Sequence, residues 1–275
     1  MSGKTVRRPL DTFKYILRKV LLVIMAAAVV FPLVYMFSSS LFRPSDFNRL
    51  NLFPSAPEFT NYVKALSHRY FGYYMVNSVM TSVLAALLRS AVLIPAAFAF
   101  THLRFRGRKV LLAALVLTLF VPQEAILYQN YRTVAALGLI DTWAGIISTS
   151  LFSAAQMLLL MGAFAGVGNE PYDAARIDGA SDIRYILNVL IPVTGPVVLT
   201  MTVQTLITTF NSYLWPLLVT NRPQTRTIQV GITMLGFMES GDIGAQMAAL
   251  VMVTVPFLVV LALAKKRIET ALIRS

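Results

Sequence analysis

Four carboxylates, Glu170, Asp173, Asp178 and Asp182, fall in one polar stretch, Glu170 to Pro192, between two apolar segments long enough to cross a bilayer. They do not read as an active site. The chain holds no HExxH or GxSxG pattern, no Cys and no His–carboxylate cluster. It also lacks the GxxxxGK[ST] loop that cradles nucleotide phosphates, so any use of ATP must come from another chain. The acids suit helix ends instead. Asn169 is a candidate N-cap, Pro171 fits a first helical turn, and Glu170 and Asp173 meet the positive end of a helix dipole. Gly179 can take the left-handed conformation that ends such a helix. Ser181 then caps a second helix, along which Ile183, Ile186, Leu187 and Leu190 make one apolar stripe, with Arg184 and Asn188 on another face. Pro192 marks a change of direction. The stretch therefore predicts a helical hairpin with a polar rim.

A second group of residues carries chemistry because of where it sits. Arg89 lies well inside an apolar run, where a charge is costly and turns toward other helices or a cavity. Its guanidinium could take a phosphate or carboxylate, or it could have a structural role, for which Glu124 in the next apolar run is the natural ion-pair partner. The two depths could differ by only about two helical turns. Asn77, Gln204, Asn211, Tyr213 and Trp215 are polar or aromatic residues on apolar segments; they suit a sugar pathway and helix packing alike. Gln123 and Glu124, after Pro122, could open their helix locally. His68 and His102 fall near the ends of apolar runs and read as interfacial.

The elements that must position these residues are membrane helices. Of 275 residues, 57% are hydrophobic and only 13% charged, which is too apolar for a soluble domain of this length. The net charge of +12 does not indicate nucleic acid, because the basic residues cluster at the ends of apolar runs. The absence of Cys excludes disulfides and cysteine metal sites. The first apolar run is long enough for a permanent anchor, and no cleavable signal peptide is evident. A short amphipathic helix can begin at Asp11. Six spans are predicted: Val20–Phe37, Phe71–Phe100, Val110–Tyr131 with an interruption at Pro122-Gln123-Glu124, Thr142–Val167, Val193–Val219 and Ile243–Ala264. Residues 41–70 read as an outer loop with a short helix near Asn61 to Leu66, and residues 220–242 as a polar connection. Six spans put both ends on one side. The ends, the 102–109 loop and the hairpin together carry 16 Lys and Arg, against 7 in the opposite loops, so the ends and hairpin are placed in the cytoplasm. Secondary carriers favour repeats or several intramembrane carboxylates; neither is evident, so a carrier or channel stands as the alternative.

The hairpin resembles the EAA loop of permease subunits of ATP-binding-cassette importers. That pattern is Glu-Ala-Ala, three residues, Gly, nine residues, then Ile-x-Leu-Pro. Here Asp173-Ala174-Ala175, Gly179, Val189, Ile191 and Pro192 stand at the same spacing, with Asp for Glu and with Val and Ile for Ile and Leu. The run Ala174-Ala175-Arg176-Ile177-Asp178-Gly179-Ala180-Ser181 is the form typical of sugar-type permeases. Asn77-Ser78, Ala96-Ala97-Phe98-Ala99-Phe100 with Arg104-Phe105, Leu137-Gly138-Leu139-Ile140-Asp141-Thr142 with Gly145, and Leu214-Trp215-Pro216-Leu217-Leu218 extend the likeness over about residues 70–265.

The resemblance implies an all-α polytopic membrane protein with six transmembrane helices and a cytoplasmic coupling-helix hairpin. It would comprise an amino-terminal part (1–70), a permease core (71–265) with its coupling loop at 169–192, and a basic tail (266–275). The implied setting is a bacterial or archaeal cytoplasmic membrane. The implied partners are a second related permease, two ATPase subunits that bring ATP and Mg, and an extracytoplasmic solute-binding protein, with no nucleic acid. No cofactor or metal is expected on this chain. The implied solute is a sugar, polyol or glycerophosphate-type molecule, and glycerol-phosphate permeases can carry a basic residue near position 89. Glu170, Asp173, Ala174, Ala175, Arg176, Asp178, Gly179, Ala180, Ser181 and Pro192 would meet the ATPase; Arg89, Asn77, Glu124, Asn211, Tyr213 and Trp215 would line the pathway.

Overall fold

The computed structural model describes the backbone of residues 9–49, 51–234 and 242–273, and side chains over 15–259 of those except 16 and 257. The regular structure is helical, with no strand among the described residues. In chain order the helices are α1 (Pro9–Ser39), α2 (Pro44–Asn48), α3 (Thr60–Ser67), α4 (Phe71–His102), α5 (Arg108–Leu117), α6 (Leu127–Ala136), α7 (Trp143–Ile147), α8 (Ala154–Val167), α9 (Glu170–Ile177), α10 (Asp182–Tyr185), α11 (Ile191–Val193), α12 (Gly195–Phe210), α13 (Leu214–Val219), α14 (Ile228–Met234) and α15 (Ile243–Ile273). The all-helical class expected from the apolar periodicity is the one observed.

Two segments, Leu17–Ser39 and Phe71–His102, are single helices long and apolar enough to cross a membrane. Three more are bent pairs: Arg108–Phe120 with Gln123–Ala136 at 97°, Trp143–Ser150 with Ala154–Val167 at 57°, and Asp182–Val193 with Gly195–Phe210 at 88°. The sequence reading foresaw the first break but not its size, and it missed the second. Val121 and Pro122 are extended between two 3-10 turns, because proline lacks the N–H that would continue the ladder. At the second break Ser153 is extended and its hydroxyl accepts the Gln156 N–H at 3.4 Å, starting a new helix. The fifth predicted span stops at Phe210 and resumes at Leu214. No separate helix starts at Asp11, since α1 runs unbroken from Pro9. Residues 1–8, 235–241 and 274–275, with part of the basic ends, lie outside the described residues.

The chain forms two compact units. In the first, residues 1–68 and 235–256, the outer-loop stretch is built on buried polar residues. Asn61 donates to the Ser40 and Phe42 carbonyls at 3.0 and 2.9 Å. Asp46, 1% exposed, accepts the Arg43 N–H and the Asn51 amide. α3 was foreseen; α2 was not. α1 is exposed along its apolar stretch.

The second unit, residues 69–234 and 257–275, is organised on α4. Its face of Ser78, Thr81, Ser82, Ala85 and Ala86 is buried, and such small residues let neighbouring backbones approach. α7, α8, α12 and α14 pack on it. The core gathers Leu93, Ala97, Phe98, Leu160, Phe164, Tyr185, Leu190 and Met201. α14 corrects the expectation of a plain polar connection at 220–242: Ile228, Val230, Gly231 and Ile232 are buried.

Candidate functional site

The hairpin forms as two helices and a turn. α9 ends in a Schellman motif: Gly179 sits at φ 78°, its N–H reaches the Arg176 carbonyl at 3.1 Å, and the Ala180 N–H reaches the Ala175 carbonyl at 2.9 Å. Ser181 caps α10 by accepting the Arg184 N–H at 3.4 Å. Asn169 stands at the start of α9 but its side chain makes no capping bond, because its own backbone is already helical.

The apolar stripe needs correction. Ile186 and Leu190 are buried, whereas Ile183 and Leu187 are 70% and 57% exposed. A π-helical turn over Ile186–Leu190 shifts the register, and Tyr185, 1% exposed, takes the buried place. The hairpin is rooted through aromatic rings. Tyr185 and Tyr172 lie with centroids 5.1 Å apart, and Phe98 and His102 at the end of α4 complete the cluster at 5.2 to 6.1 Å. Tyr172 donates to Asp182 at 2.9 Å, and Arg176 pairs with the same carboxylate at 3.3 Å. Burial first, and then the bond to Asp182, push the Tyr172 phenol above its ordinary value. Asp173, Ala174, Ile177, Asp178 and Gly179 are left exposed. The hairpin thus presents a mixed acidic and apolar face on a fixed root. Glu170, Ser181 and Pro192 are exposed too, and Ala175 and Ala180 are half-buried.

A polar hub lies in the middle of α4. Arg89, 8% exposed, donates from Nε to the Ser150 carbonyl at 2.5 Å and from Nη1 to Gln156 at 3.2 Å and Thr205 at 3.3 Å. The Gln156 amide also reaches Gln204 at 3.2 Å. The ion pair expected with Glu124 is absent among the described residues: Glu124 is exposed, and the 97° bend carries its turn away from the helical line assumed in counting depths. Arg89 instead joins the two halves of the broken fourth segment to α12. The Ser153 cap was a local signal for this break; the hub itself is long-range and had none.

Toward the other end of α4, Asn77 is 6% exposed and fully bonded. It donates to the Gln224 and Arg226 carbonyls at 2.8 and 3.0 Å and accepts from the Trp143 indole at 2.9 Å. Trp215, also 6% exposed, donates to the Gly145 carbonyl at 3.1 Å. Both make helix-packing bonds. Asn211 bonds back to the Ile207 carbonyl and accepts from Gln229, and Tyr213 is 40% exposed. Sequence reasoning named Asp141 only within a motif. It holds φ 61° while its Oδ1 accepts from the N–H groups of Asn221 and Arg222 and from the Thr225 hydroxyl at 2.7, 2.9 and 2.7 Å. Burial pushes this carboxyl up, but those bonds and the Arg222 charge hold it below its ordinary value on balance. No group of three or more His, Cys, Asp or Glu able to hold a metal occurs among the described residues.

Comparison with known proteins agrees with this architecture. The chain is 30% identical over 82% of its length to the sn-glycerol-3-phosphate transport system permease protein UgpE of Rhizobium meliloti, covering 82% of that protein. It is 28% identical over 94% of its length to the trehalose/maltose transport system permease protein MalG of Thermococcus litoralis, covering 96% of it. Its fold matches a chain of a bacterial ABC transporter involved in import of the acidic polysaccharide alginate, with TM-score 0.85 at 24% identity over 96% of this chain and 99% of that one. The model of the binding-protein-dependent transport system inner membrane component family matches residues 91–274, and this chain belongs to that family.

Proposed function

We propose that the chain is the membrane-spanning permease subunit of an ATP-driven, binding-protein-dependent importer of a sugar or related polyol or glycerophosphate-type solute. The observation that carries the reading is the hairpin: an exposed face of Asp173, Ala174, Ile177, Asp178 and Gly179 on a root of four aromatic rings in mutual contact, most of them edge to face. A partner that pushes on that face moves Tyr172 and Tyr185 against Phe98 and His102, and so moves α4. The push does work only if the partner binds differently in two states. Closing of an ATPase pair on ATP and Mg supplies such states, and the missing phosphate loop assigns hydrolysis to that pair.

In this reading the chain crosses the membrane six times: through α1, α4, the two bent segments around Pro122 and Ser153, α12 with α13 after the hairpin, and α15. Both ends and the hairpin face the cytoplasm, as the distribution of Lys and Arg favours. Residues 1–70 form the amino-terminal part, 71–265 the permease core and 266–275 the basic tail. A second, related permease completes the pathway, and an extracytoplasmic binding protein delivers the solute. Related importers of known structure include one solved with an alginate pentasaccharide-bound periplasmic protein, matched at TM-score 0.65.

The test is a pull-down of the tagged chain from native membranes in mild detergent, with mass spectrometry of its companions. An ATPase subunit and a second permease are expected, with the ATPase reduced in Gly179→Asp. A chain that emerges alone overturns the reading in favour of an ATP-independent carrier.

A further inference from the structure

The bent third and fourth segments meet around a cavity of about 140 Å³ lined by Gln123, Ile126, Leu127, Asn130, Thr149 and Trp215. Gln123 to Asn130 follow the break at Pro122, and Thr149 precedes the break before Ser153. Irregular backbone at membrane depth is tolerated where it is buried in protein or lines a water-filled space, and discontinuous helices commonly mark binding sites. We infer that this cavity is a binding niche for an uncharged, hydroxyl-bearing group, a polyol or one sugar unit. The inference rests on the permease reading and narrows its solute.

The lining chemistry carries it. No wall residue bears a charge. The side chains of Gln123, Asn130 and Thr149 make no hydrogen bond to another described residue, so two amides and a hydroxyl face the space with donors and acceptors unused. A solute hydroxyl both donates and accepts, and can satisfy both kinds. A phosphate or carboxylate only accepts, and would set its charge against amide oxygens with no cation in the wall. Arg89 is not a wall residue, and its Nε and Nη1 are held by Ser150, Gln156 and Thr205, which are not wall residues either. Glu124, next to Gln123, carries the wrong sign for an anion.

Trp215, fixed by its bond to Gly145 and only 6% exposed, gives the niche a rigid aromatic edge. The volume is below the ~300–1,000 Å³ typical of pockets for whole ligands, which fits a small polyol or one ring of a longer solute. Gln123 and Thr149 are exposed, so the niche is reachable.

The experiment is saturation-transfer NMR on the assembled transporter in lipid nanodiscs, with glycerol and trehalose as neutral probes and sn-glycerol 3-phosphate as the anionic one. Transfer to the neutral probes is expected, with no gain from the phosphate. Thr149→Val and Asn130→Leu should each weaken it about three- to tenfold, the range of one lost hydrogen bond. Gln123→Ala, at an exposed position, gives the same readout if a wall variant does not fold. Stronger transfer to the phosphate, or unchanged transfer in all three variants, overturns the niche. Failure of an ATPase to co-purify overturns the permease reading separately, because the niche is judged by the change that the Gln123, Asn130 and Thr149 variants of this chain make in probe transfer, whatever chains accompany it.

Discussion

Gly231 lies against the ring of Tyr74 so closely that a Cβ on the glycine would stand 2.1 Å from the ring's Cδ2. This contact seats α14 on the start of α4, beside the bond from the Ile228 N–H to the Ser78 hydroxyl at 2.8 Å. Tyr74 is completely buried, so its ring has little room to retreat. Gly231→Ala should therefore destabilise by about 1–3 kcal/mol through overpacking. Thermal unfolding of the purified transporter checks it, and an unchanged midpoint would show that Tyr74 can swing away.

Asp141 should act as a charged latch. Its carboxyl is held below its usual value, so the stability it contributes is present above the unfolded-state pKa near 3.8 and is lost as pH falls through the lower folded value. Stability from this latch should be flat from neutral pH down to about 4 and decline only below it. Asp141→Ala removes three bonds and leaves a non-glycine residue at φ 61°, for a loss of about 2–3 kcal/mol. Asp141→Asn should lose less, since Asn tolerates that conformation and keeps an acceptor oxygen. Unfolding midpoints of the two variants across pH test the order.

Arg89 cannot be replaced by lysine. A lysine has no planar fork to reach Ser150, Gln156 and Thr205 together. Arg89→Lys and Arg89→Met should each cost about 2–4 kcal/mol by leaving buried acceptors unmatched. Because Glu124 is not its partner, Glu124→Gln should have an effect within about 0.5 kcal/mol, as at an ordinary exposed site. Denaturant titration of all three variants settles the comparison: equal losses at positions 89 and 124 would restore the ion pair.

Gly179→Ala should strain the turn by about 1–2 kcal/mol, since φ there is 78°. Nothing lies within 4 Å of the added methyl, so the aromatic root should stay intact. ATPase co-purification should fall, while the unfolding midpoint of the transporter drops by no more than a few degrees. A large fall in the midpoint would mean the turn is also part of the folding core.

The sequence by itself determined the helical class, the polar hairpin and the caps at Gly179 and Ser181, because each follows from residues a few positions apart. It also marked Pro122 as a break, since a missing N–H acts locally. The same reasoning failed at Ile183 and Leu187, where a π turn moved the buried face onto Tyr185. It failed for the partner of Arg89, since the groups that hold it lie 61, 67 and 116 residues away. Only the tertiary structure decided that Asn77 ties α4 to residues 224 and 226, that Arg89 bridges a broken helix, and that two breaks share one uncharged cavity. A buried polar group must find partners wherever the fold brings them, and that choice is made by packing across the chain and not by neighbours along it.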